Sequence, residues 1–248
     1  MTGVRTGAQV AAGAVILVVA WQLIGASGLL GPGFPSLTSV LARYFEEGSG
    51  ELFGSALSAT ALSALGAFTI GAGGGLVIAA LRQAIVGVRD GLDRLAVTAH
   101  AIPHIGVAPV LVVTIGRTEA PLVLGAIAAY FPAYVAATRA FGTAGTGLRD
   151  LFTVFGSGRS TRFLRLYLPA AVPGLCDALR LAAPGAVLGT VLGEWFGAPD
   201  GIGLIIVSSA QNFQIDQLWA AAVLATSMAL AGYGLFSLLQ VIARRRFT

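Results

Sequence analysis

His100 and His104 stand four residues apart, the spacing that puts two imidazoles on one helix face within reach of one metal ion. Pro103 falls between them and no third ligand lies nearby, so the pair is expected to line a passage or to pack. Arg180 and Glu194 are two further ionisable groups, set inside an apolar block. Their separation of fourteen residues is about 21 Å along a helix, so they cannot pair with each other. Asp177 sits three residues before Arg180, where the two charges can neutralise one another. Ser157 lies in Phe-Gly-Ser-Gly, which has Phe155 where the G-x-S-G of an intramembrane serine protease needs its first glycine. An intramembrane enzyme would require a converging nucleophile and base, or a metal cluster, and this set supplies neither.

The absences are as informative. All fifteen basic residues are arginine, so no P-loop lysine exists and the chain is not itself a P-loop ATPase. No ATP or magnesium site is expected in it, and it needs no cofactor of its own. The single cysteine, Cys176, rules out an intrachain disulfide framework and a cysteine-only metal site. The net charge of +4 does not signal nucleic-acid binding, because the arginines sit between apolar blocks and form no stripe with aromatics among them.

The elements that must position these groups read as membrane spans. Hydrophobic residues make up 56% of the chain and charged residues only 10%, against about a quarter in soluble domains. Six blocks approach the roughly 20 apolar residues that cross a bilayer as a helix: 8–30, 55–81, 95–116, 119–139, 175–197 and 217–242. Prolines interrupt the third and fourth, at Pro103, Pro109, Pro121 and Pro132. The expectation is one all-α membrane domain over 1–248, with Gly71, Gly73, Gly74 and Gly75 allowing close helix approach in the second span. Residues 31–54 lie between the first two spans. There Leu37, Val40, Leu41, Tyr44 and Phe45 predict a short interfacial helix with Arg43, Glu46 and Glu47 on its other side. Beside Trp195, Glu194 reads either as an interfacial anchor or as part of a translocation pathway with His104 and Arg180.

Arginine placement sets the orientation, because inner flanks collect positive charge. With both termini inside, inner segments hold Arg5, Arg82, Arg89, Arg94, Arg139, Arg149, Arg159, Arg162, Arg165, Arg244, Arg245 and Arg246, while outer loops hold only Arg43 and Arg117. Residues 139–174 then form the longest inner connection. Leu148, Leu151, Phe152 and Phe155 recur at helical spacing, Gly156-Ser157-Gly158 breaks the helix, and Arg159, Arg162 and Arg165 begin a second one. Leu168-Pro169 is expected to stop it, since a residue before proline is pushed out of the helical region. Arginines beside a membrane also bind anionic headgroups, at about 1 kcal/mol each. Two short helices around a hinge with an apolar face suit docking of a protein partner better.

This segment, 145–169, resembles the cytoplasmic coupling segment of permease subunits of ATP-binding-cassette importers. That pattern is Glu-Ala-Ala, three residues, Gly, nine residues, Ile, any residue, Leu-Pro. Asp150 stands at the Glu position, Gly156 at the Gly and Leu166 at the Ile, and Leu168-Pro169 close it with both spacings kept. Leu151 and Phe152 replace the two alanines. Gly33-Phe34-Pro35-Ser36, Ala101-Ile102-Pro103, Ala108-Pro109, Phe131-Pro132 and Gly201-Ile202-Gly203 are similar to the subgroup importing nitrate, sulfonates, taurine and related solutes. The resemblance implies a six-span, type I importer permease in the bacterial plasma membrane, paired with a second permease copy, expected to be identical. It further implies two ABC ATPase subunits, which bind ATP and Mg, and an extracytoplasmic substrate-binding protein. Asp150, Gly156, Arg159, Arg162, Arg165, Leu168 and Pro169 would carry the ATPase coupling, the arginines touching the ATPase or lipid headgroups. The alternative is an ion-gradient-driven secondary transporter in which Glu194 carries the proton or ion, and it would call for an inverted repeat.

Overall fold

The computed structural model describes residues 2–247, with side chains described from 9 to 245. The side chains of Arg5 and Arg246, counted above among the inner charges, lie outside the described residues. Those residues contain helices and no strand. Helices α1 (Thr2–Ser27), α3 (Ser49–Ala84), α6 (Ala120–Phe141), α9 (Leu168–Glu194) and α11 (Ile215–Phe247) are long and apolar enough to cross a membrane.

The core is a three-helix contact of α3, α6 and α9 made through small residues. Without a hydrophobic drive between helices in lipid, close backbone approach and van der Waals packing hold such a contact together. A Cβ on Gly71 would run into the Ala126 carbonyl of α6, and one on Gly75 would lie 2.7 Å from the Tyr130 carbonyl oxygen. From the other side, a Cβ on Gly189 of α9 would lie 2.7 Å from the Leu124 carbonyl oxygen. Gly73 and Gly74 face open space, so two of the four expected contact glycines make the approach. Ala67, Ala129, Ala133, Ala182 and Ala186 fill the seam between them.

The third block departs from a straight span. Helices α4 (Arg89–Ala101) and α5 (His104–Ile115) meet at 85°. The cause is Pro103: Ile102 before it takes φ −69°, ψ 123°, out of the helical region, as steric conflict with the proline ring demands. Pro132, by contrast, lies inside an unbroken α6. A second correction concerns Leu168-Pro169, which does not stop a helix. Helix α8 (Arg159–Arg162) runs through Phe163–Tyr167 into α9 as one 36-residue rod ending at Glu194. Phe163–Tyr167 is a widened π turn, in which the Leu168 amide reaches back to the Phe163 carbonyl. That places Pro169 in the first turn of α9, where its missing N–H is tolerated.

Helix α2 (Leu37–Ala42) lies between α1 and α3, capped by Ser36, whose hydroxyl accepts from the Ser39 amide at 3.2 Å. Its apolar face is narrower than the spacing predicts. Val40 is fully buried, and the Tyr44 hydroxyl donates to the Ala220 carbonyl at 2.6 Å, whereas Phe45 is 89% exposed. The chain tightens to a 3-10 turn over Arg43–Phe45, which rotates Phe45 off that face. Burial raises the pKa of Tyr44 above its ordinary value. Arg43 pairs with Glu46 and donates to Gln217 of α11 at 2.5 Å. Helix α1 touches the rest at its C-terminal end: the Trp21 ring lies 5.2 Å from that of Trp219, and its Nε1 donates to the Pro35 carbonyl at 3.1 Å. From Gln9 to Ser27 no residue of the helix is fully buried, and Trp21, Gln22 and Gly25 are half-buried.

Candidate functional site

The elbow predicted for 145–169 exists as helix α7 (Thr146–Val154), a left-handed residue and α8. Gly156 has φ +65°, the conformation that ends the helix. The Ser157 amide donates to the Phe152 carbonyl and the Gly156 amide to the Thr153 carbonyl, both at 3.0 Å. That pair is a Schellman motif, which fixes the corner and satisfies carbonyls the helix end would leave unpaired. Arg149 ties α7 to the bundle: it donates to the Gly142 carbonyl at 2.7 Å, and its guanidinium lies 5.8 Å from the Tyr167 ring centre. Leu148, Leu151, Val154 and Phe155 project outward, 52, 47, 83 and 76% exposed. Asp150, Arg159 and Arg165 are exposed, Arg162 and Leu168 half-buried, and Pro169 exposed.

Beside the elbow a cavity of about 960 Å³ opens between α6, α9 and the end of α11. His100, Phe131 and Val135 line one part, and Arg139, Asp177 and Arg244 supply its charges. His100 stacks on Phe131 at 3.9 Å between ring centres. The bend at Pro103 leaves the two imidazole centres 6.1 Å apart, and no group of three metal-ligating side chains occurs among the described residues. Arg180 pairs with Asp177, as its i, i+3 spacing foretold, and sits 5.1 Å from the Tyr233 ring centre.

Glu194 is 2% exposed, and both its oxygens are engaged. Oε1 accepts from the Thr60 hydroxyl at 2.8 Å and Oε2 from the Gly203 amide at 2.7 Å. Thr60 in turn accepts from the Ile202 amide at 2.8 Å. The first two amides of α10 (Ile202–Gln211), which have no partner inside the helix, are thus satisfied by side chains of α9 and α3. A carboxylate at a helix N-terminus also meets the positive end of the helix dipole. Glu194 therefore pins α3, α9 and α10 together. Gly201 makes room for it, since a Cβ there would collide with the carboxylate and the backbone holds φ +127°.

Two parts of this arrangement have no periodic signal in the sequence. Thr60 lies in an apolar span with nothing to mark it as the partner of a glutamate 134 residues away. The second is a cluster at the opposite end of α3. Arg82 donates through two nitrogens to Asp93 at 2.7 Å each, and the Tyr134 hydroxyl donates to the same carboxylate at 2.5 Å. Arg82 was legible only as an inner flanking charge; its pairing with Asp93 fastens α4 to α3 and α6.

The site is a span bundle packed through glycines, with an open cavity and a projecting corner closed by Gly156. Residues 71–248 match the family of the binding-protein-dependent transport system inner membrane component, and the chain belongs to that family as the permease subunit of an ABC importer. It is 28% identical over 220 residues to a probable ABC transporter permease protein of Haemophilus influenzae, covering 88% of this chain and 89% of that one. It is 28% identical over 212 residues to the putative aliphatic sulfonates transport permease protein SsuC of Bacillus subtilis, covering 84% and 76%. Among solved structures, an inward-facing form of the MetNI methionine ABC transporter shares the fold. Its TM-score is 0.61 at 17% identity, over 84% of this chain and 97% of that one.

Proposed function

We propose that two copies of this permease form the passage, and that the α7–α8 elbow of each is gripped on the inner side by an ABC ATPase subunit that hydrolyses ATP. An external binding protein delivers the solute. The observation that carries this is the exposed row Leu148, Leu151, Val154 and Phe155 on a short helix whose end is locked by Gly156. Apolar side chains presented on a rigid corner fit a partner's groove, and a capped corner transmits a push without bending. Asp150 and Gly156 shape the corner, Arg159, Arg162 and Arg165 meet the ATPase or headgroups, and Leu168-Pro169 joins the elbow to α9 without a break.

The cargo we propose is a small organic solute of the sulfonate kind. Kinship to the sulfonate permease supports this, as do Arg139 and Arg244, which line the cavity where an anion would pass. We assign His104 and Arg180 to the same route because they adjoin His100 and Asp177, which line the cavity, and Glu194 to fastening α3, α9 and α10 beside it. Co-purification with the ATPase tests the elbow assignment. Gly156→Pro combined with Asp150→Ala abolishes it if the corner is the grip, and retained binding would sink the assignment.

A further inference from the structure

A second site lies behind the elbow. Arg89, Arg159 and Arg162 line a cleft of about 120 Å³ with Gln83, Phe163 and Tyr167. No lining residue is acidic, and none of the three arginines belongs to an ion pair among the described residues. The nearby carboxylate of Asp93 is already taken by Arg82 and Tyr134. Arg89 is held in place by donating to the Arg82 carbonyl at 3.1 Å and the Gln83 carbonyl at 3.3 Å. Arg162 Nε is buried without a partner. A buried donor left unpaired is costly, so like charges gathered around it call for an anion.

Depth says which anion. Thr60 is bonded to Glu194, next to Trp195, and tryptophans collect at membrane interfaces. From Thr60 to Ala84, which also lines the cleft, is 84 − 60 = 24 residues. At 1.5 Å per residue this is about 36 Å, just beyond a hydrocarbon core of about 30 Å. The cleft therefore sits at headgroup level of the leaflet opposite Trp195. Leu81, Ile85, Val86 and Leu164 flank it, 45 to 61% exposed, as apolar surface for acyl chains.

We propose that this cleft binds the phosphate headgroup of an anionic phospholipid, held by Arg89, Arg159 and Arg162. The lipid wedges between the α3–α4 corner and the start of the α8–α9 rod, bracing the elbow from behind while its apolar row stays free. The site goes beyond the ATPase contact and is testable without any ATPase. Purified full-length chain is placed in nanodiscs of equal phosphatidylglycerol and phosphatidylcholine, and the lipid it retains is read by native mass spectrometry. Phosphatidylglycerol is expected to be enriched. Each arginine near the surface contributes a roughly five-fold preference, so Arg162→Gln lowers the enrichment about five-fold and the triple Arg89→Gln/Arg159→Gln/Arg162→Gln removes it. Arg94→Gln, the same charge change on an exposed arginine of α4 outside the cleft, leaves it within two-fold. Should the triple variant not fold, the Arg162→Gln against Arg94→Gln comparison decides. Unchanged enrichment in Arg162→Gln, equal loss in Arg94→Gln, or displacement of the lipid by 10 mM inorganic phosphate each overturns the proposal, the last by showing a free-anion site.

Discussion

Thr60→Val tests whether the Glu194 pin holds α3, α9 and α10 together. The substitution keeps the shape of the side chain and removes its oxygen. Two bonds go at once: the donor to Glu194 Oε1 at 2.8 Å, and the acceptor for the Ile202 amide at 2.8 Å. Thr60 is fully buried, so no water replaces them without opening the structure. A buried donor stripped of its partner costs about 1–3 kcal/mol, and a central value of about 2 kcal/mol corresponds to a roughly thirty-fold shift in the opening equilibrium. Hydrogen exchange of the peptide covering residues 202–211, followed by mass spectrometry in detergent, reads that opening directly. Exchange is expected to rise roughly thirty-fold in the Thr60→Val protein and to stay within a few-fold of the parent in Thr60→Ser, which restores a hydroxyl. Unchanged protection in Thr60→Val would show that α10 is held by packing alone and would refute the pin.

Four further substitutions probe the packing and the corner. Gly75→Ala forces a Cβ against the Tyr130 carbonyl oxygen 2.7 Å away on a neighbouring backbone, so the α3–α6 seam must part. A loss of about 1–3 kcal/mol, seen as a lowered unfolding temperature, is expected. Gly73→Ala points into open space and leaves that temperature unchanged or slightly raised. Gly156→Val places a β-branched residue at φ +65° with nothing nearby to clash, so its cost is conformational, about 1–2 kcal/mol. It should loosen the elbow, and limited proteolysis at 155–158 reports this. Trp219→Ala removes the ring that packs on Trp21 and Phe34 and weakens the anchoring of α1, so cross-linking between residues 22 and 38 is expected to fall.

The long apolar helices were legible because apolar length is a one-dimensional quantity. The elbow was legible for a related reason: a glycine at a fixed offset from a helical apolar repeat is a local signal, and Gly156 takes the left-handed turn that signal requires. Proline rules were a weaker guide. The same steric rule broke the chain at Ile102 and failed at Leu168, because a π turn over Phe163–Tyr167 kept the latter helical. Partnerships between distant spans were not legible at all. Glu194 reads as an interfacial or pathway carboxylate until Thr60 and Gly203 are seen on its two oxygens, and Arg82 as a flanking charge until Asp93 meets it. These pairings depend on helix rotation, which small residues such as Gly71 and Gly75 determine by the contacts they permit.

The elbow's side of the membrane and its occupant can be read together from one residue. Cysteine placed at the exposed tip, Phe155→Cys in a Cys176→Ser background, is treated with a membrane-impermeant maleimide in sealed right-side-out vesicles, then after the vesicles are opened, with and without co-expressed ATPase subunits. Labelling only after opening, and strongly reduced when the ATPases are present, is the predicted result. Labelling of sealed vesicles, or equal labelling with and without the ATPases, would contradict an inner corner built to be gripped.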